Sequence, residues 1–61
     1  MTNIEFRDAR KALGLTQHEW GLSLGISREQ VAKLEGGKHP VTPTLAILAK
    51  MLLEKQNPGR A

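Results

Sequence analysis

Cysteine is absent from the 61 residues, which excludes disulfides, thiolate metal ligands and a cysteine nucleophile together. Aromatic residues are limited to Phe6 and Trp20, too few for a surface that stacks successive single-stranded bases. No apolar run is longer than Leu45–Ala49, far short of the roughly 20 residues that a bilayer span needs. The opening residues Met1 to Phe6 include Glu5 and no apolar stretch, so a signal peptide is not expected. Half-buried strands need four or more residues alternating apolar and polar, and no such stretch exists. His18 and His39 are far apart and stand in no ligand pattern, so no metal site is expected. The carboxylates Glu5, Asp8, Glu19, Glu29, Glu35 and Glu54 are each accounted for by caps, ion pairs or solvation. The parts of an enzyme are missing, and neither a cofactor nor a small-molecule ligand is expected. The expectation that remains is a soluble, cytoplasmic single domain near the lower size limit for folding without staples. Its net charge of +3 mildly favours a polyanionic partner.

Four helical segments carry their own punctuation, at about 3–13, 17–24, 28–35 and 43–55. Thr2 with Glu5, Thr16 with Glu19, and Ser27 with Gln30 each match the capping-box spacing at a helix start. Gly14, Gly25 and the Gly36–Gly37 pair stand where the first three helices should stop. Pro40 bars helix in the loop that follows, and Thr42 caps a fourth helix with Pro43 in its first position. Phe6, Ala9 and Leu13 share a face, as do Trp20 and Leu24, then Val31 and Leu34. Leu45, Leu48 and Leu52 give the fourth helix its inward face. Residues 1–56 form the domain, and 57–61 are a polar tail expected to fray. The fold class is all-α with short connections.

The informative stretch is TQHEWGLSLGISREQVAKLEGG, Thr16 to Gly37. Two short helices linked so briefly can cross steeply only if the turn holds a positive φ, which Gly25 supplies without strain. They can approach closely only if a small residue faces the contact, and Gly21 stands at that place. The inner faces need apolar side chains, which Trp20, Leu24, Ile26, Val31 and Leu34 provide.

On these residues the chain resembles the lambda-repressor/Cro-like (XRE) helix-turn-helix family. The likeness runs from FRDARKALGLTQHEWGLSLGISREQVAKLEGGK through the helix TPTLAILAKML, about Ile4 to Leu53. The family implies a compact four- or five-helix domain whose third helix enters the DNA major groove, with the helix-turn-helix at about 17–35. Two departures stand out. The small residue of the second helix is usually alanine and is Gly21 here, and only a few residues follow the fourth helix, so a fifth is not expected.

Ser27, Arg28, Glu29 and Lys33 lie at the start and on the outer face of the third helix, where base contact is expected. Arg28 and Lys33 suit guanine O6 and N7, and Glu29 can accept from cytosine N4. The resemblance implies a phosphate contact at Gln17. Another phosphate contact is expected at Lys38, with His39 and the amides of Gly36 and Gly37. The resemblance also implies a structural ion pair between Arg10 and Glu35. Ile47, Met51 and Leu53 leave the fourth helix apolar beyond its inward face, which suggests a homodimer interface. The expected function is a double-stranded DNA-binding transcriptional regulator, a repressor acting as a dimer on a pseudo-palindromic operator. Two alternatives stay open: an antitoxin that also represses its own operon, and a protein-interaction module of the same shape that does not bind DNA.

Overall fold

Three of the four helices start with the same reciprocal pair of hydrogen bonds, and these set where the chain turns. The computed structural model describes residues 1–56, so the expected tail at 57–61 lies outside the described residues. Helix α1 spans Asn3–Ala12, α2 Gln17–Leu24, α3 Arg28–Glu35 and α4 Pro43–Gln56; no strand occurs among the described residues. At α1 the Glu5 amide donates to Thr2 Oγ1 at 3.0 Å, and the Thr2 amide donates back to Glu5 Oε1 at 2.7 Å. Thr16 and Glu19 repeat the exchange at 3.1 and 2.9 Å, and Ser27 and Gln30 at 3.1 and 3.0 Å. Each box satisfies two donors that a helix start would otherwise leave open. The hydrogen bond from the Thr2 backbone, with Thr2 side-chain bonding, holds the Glu5 carboxyl below its ordinary value of 4.5. At α4 the Leu45 amide donates to Thr42 Oγ1 at 3.3 Å.

The helices close around Phe6, Ala9, Trp20, Leu24, Val31, Leu34 and Ala49. Phe6 and Trp20 are fully buried, with ring centroids 5.5 Å apart and planes tilted by 49°, an arrangement that lets a ring edge approach a ring face. Burying a side chain of this size contributes roughly 1.5–3 kcal/mol, so these two rings carry much of a small core. Leu13 and Ile26 are half-buried and pack against its rim.

Helix α4 departs from the expected pattern. Its deepest residue is Ala49, with no exposed surface, and Leu45, Leu52 and Leu53 pack against the core around it. At 100° per residue these four share one face centred on Ala49. Leu53 is therefore a core-facing residue and not part of an outer apolar surface, whereas Leu48, expected to point inward, is exposed. A small side chain at the centre of the face allows α4 to approach its neighbours, and the large residues wedge in on either side. Ile47 and Met51 are 59% and 58% exposed and lie diametrically opposite Ala49.

Candidate nucleic-acid interface

The link between α2 and α3 is closed by one carbonyl. Gly21 O accepts from the amide of Gly25 and from that of Ile26, the latter at 2.9 Å. Gly25 adopts φ +76°, ψ 27°, a left-handed conformation that costs other residues about 1 kcal/mol or more. Gly21 is buried, and a Cβ placed on it would stand 2.6 Å from Ile26 O and 3.3 Å from the Ser27 carbonyl carbon. The close approach is thus to the turn backbone that leads into α3, and the missing Cβ of Gly21 leaves room for it.

From this turn α3 is laid across the domain with Val31 and Leu34 inward, at 0% and 5% exposure. Ser27, Arg28, Glu29, Ala32 and Lys33 are all exposed. The ion pairs among the described residues are Arg7–Asp8 and Arg10–Glu35. Arg28, Glu29 and Lys33 therefore stand without a charge partner among those residues. Ser27 is occupied as the helix cap through its Oγ and its amide.

The far end of α3 is held by Glu35. Its Oε2 accepts from Arg10 Nε at 2.7 Å, and its Oε1 accepts from Arg10 Nη2 and Gln17 Nε2, each at 3.2 Å. Arg10 Nη1 donates further to Leu15 O at 2.9 Å. The Arg10 and Glu35 side chains are only 15% and 7% exposed. In such surroundings a two-pronged pair fixes orientation as well as contributing energy. One carboxylate thus ties α1, the start of α2 and the end of α3. Gln17, expected on a phosphate, has one amide N–H committed to Glu35 and retains the other.

Lys38 and His39 are exposed in the loop after α3. The amides beside them are committed elsewhere: Gly36 N donates to Ala32 O at 2.9 Å, Gly37 N to Leu34 O at 3.3 Å and Lys38 N to Lys33 O at 2.9 Å. These bonds close the C-terminal end of α3, with Gly37 at φ +80°. The expectation that the Gly36 and Gly37 amides face a phosphate is corrected accordingly, because both are turned back into the helix. The side chains of Lys38 and His39 stay exposed at this loop.

Asn3 is not among the residues that the sequence singles out, yet the structure brings it to this region. Its Nδ2 donates to Leu34 O at 2.6 Å and to His39 O at 2.8 Å. An asparagine at the first position of a helix carries no periodic or capping signature, so no local signal points to it. Among the described residues no group of three or more metal-ligating side chains comes together, and no helix is long and apolar enough to cross a membrane.

A family model described as helix-turn-helix matches residues 6–53. That span holds α2, the turn and α3 entire, together with most of α1 and α4. No curated protein and no solved structure matches the chain.

Proposed function

Since the chain belongs to the helix-turn-helix family of the XRE/lambda-repressor type, a family of DNA-binding regulators, we propose that it is a sequence-specific repressor that reads the major groove with α3. The carrying observation is the outer face of that helix: Arg28, Glu29 and Lys33 are exposed without charge partners among the described residues, on a helix whose inner face is buried. Charged side chains left free on an otherwise braced helix are available to base edges. Arg28 and Lys33 donate to guanine, Glu29 accepts from cytosine, and Ser27 adds a contact at the helix start. Phosphates are held by Lys38 and His39 on one side, and by Gln17 with the first-turn amides of α2 on the other. The Arg10–Glu35 pair contributes by holding α3 at its angle.

A homodimer places two such helices roughly 34 Å apart in successive major grooves of a pseudo-palindromic operator. Ile47 and Met51, exposed on α4 opposite the core, support this assembly, with Leu48 beside them. Bound across a promoter, the dimer excludes polymerase; its place of action is the cytoplasm, on the nucleoid.

Selection of binding sites from a random double-stranded library tests the reading. Enrichment of one motif with two-fold symmetry is expected, and failure to enrich any motif favours an interaction module that does not bind DNA. Arg28→Ala should then weaken binding to the selected site by about 1–3 kcal/mol and relax preference at one base position. Unchanged affinity and selectivity would remove Arg28 from the base contacts.

A further inference from the structure

The loop that leaves α3 presents Lys38 and His39 on a backbone that begins with two glycines. Glycine pairs have wide conformational freedom, and among the described residues only one side chain hydrogen-bonds to residues 36–41: that of Asn3. Both N–H groups of its amide are used, one on Leu34 O at 2.6 Å and one on His39 O at 2.8 Å. Two carbonyl acceptors on one nitrogen also settle the orientation of the amide, since only the NH2 group can donate twice. Leu34 is a core residue, 5% exposed, so one leg of this bridge rests on the core and the other ends on the exposed loop.

We propose that Asn3 is a positioning residue for the phosphate-binding side chains of this loop. The amides of Gly36, Gly37 and Lys38 already hold the near side of the loop to α3; Asn3 adds a tether at the far side, on His39 O, so that the loop cations and the base-reading side chains meet one duplex in a single register. The physical gain is preorganisation. Cations on a loop held at one side only lose backbone as well as side-chain freedom when they meet a phosphate, whereas with both sides held the backbone part is smaller. The inference rests on the DNA-binding reading above.

The test compares Asn3→Ala, Lys38→Ala with His39→Ala, and the triple variant. Each is titrated with the selected duplex and with a random-sequence duplex over a range of KCl concentrations. Measurements are made at a temperature where circular dichroism shows every variant folded. Asn3→Ala should weaken binding to both duplexes by the same factor and make the salt dependence shallower by up to about one unit of log–log slope. In the background lacking Lys38 and His39 side chains, it should change neither quantity. An unchanged slope, a loss confined to the selected duplex, or a loss fully additive with the loop substitutions overturns the proposal. Should Asn3→Ala fail to fold, Asn3→Ser serves, because one hydroxyl proton can satisfy only one of the two carbonyls. A smaller change in slope is then expected, and no change overturns the proposal. If the wild-type chain binds neither duplex, the DNA-binding reading itself falls, an outcome distinct from a normal wild-type slope that Asn3→Ala leaves untouched.

Discussion

Replacing Gly21 by alanine sets two opposing effects against each other, and the geometry gives the sign. Alanine in the body of a helix is favoured over glycine by about 1 kcal/mol, so propensity alone predicts a gain. The added Cβ stands 2.6 Å from Ile26 O, and contacts below 3.0 Å do not persist. The atom that must withdraw is a backbone oxygen in a turn held by the bond from Ile26 N to Gly21 O at 2.9 Å and by the Ser27 cap. Overpacking against so constrained a neighbour costs about 1–3 kcal/mol. The net effect is a loss of up to about 2 kcal/mol, equivalent to a fall in Tm of up to about 15 °C for a domain this small. Urea and thermal unfolding, followed by circular dichroism and by fluorescence of the fully buried Trp20, measure it. Ser23→Ala is the control: Ser23 is exposed on the same helix, so its bond back to Glu19 O at 3.1 Å is exchanged for water on truncation, no overpacking arises, and alanine's helix preference should raise stability by about 0.5 kcal/mol. A Gly21→Ala variant that gains as much as Ser23→Ala would refute the reasoning, since the turn would then yield at no cost.

Four further substitutions test the scaffold and its surface. Glu35→Ala leaves Arg10 under-satisfied at 15% exposure and should cost about 3 kcal/mol, enough to unfold much of so small a domain at 37 °C; a loss below about 1 kcal/mol in urea titration would show the pair to be dispensable. Met51→Lys, at a 58% exposed site, should leave the helical content intact while moving sedimentation toward the monomer. Leu53→Lys, on the core-facing side of α4, should instead destabilise the fold, and a reversal of these two outcomes would invert the assignment of the faces. For Glu5 the folded carboxyl titrates below its ordinary value of 4.5, so its cap stabilises the fold above that pH and is lost as pH falls through the lowered folded value. Wild-type Tm should therefore drop below about pH 4.5 more steeply than that of Glu5→Gln, which keeps the acceptor and does not titrate; parallel pH profiles would exclude the effect.

The sequence by itself determined the helix starts, the turn and most of the core. Caps act between residues three apart, a positive φ is a property of one residue, and an apolar stripe on a short helix repeats every third or fourth position. Thr2–Glu5, Thr16–Glu19, Ser27–Gln30 and Gly25 are therefore legible without any knowledge of packing. The exposed face of α3 follows in the same way, as the side opposite Val31 and Leu34. Tertiary structure alone decided matters that depend on residues distant in the chain. Apolar residues fall all round α4, and its neighbours chose the face centred on Ala49, turning Leu53 inward and leaving Leu48 exposed. The loop amides at Gly36 and Gly37 could have faced outward, but the last carbonyls of α3 needed donors and claimed them. Asn3 reaches Leu34 and His39 across more than thirty positions of sequence, and only the folded chain brings that amide to the end of α3.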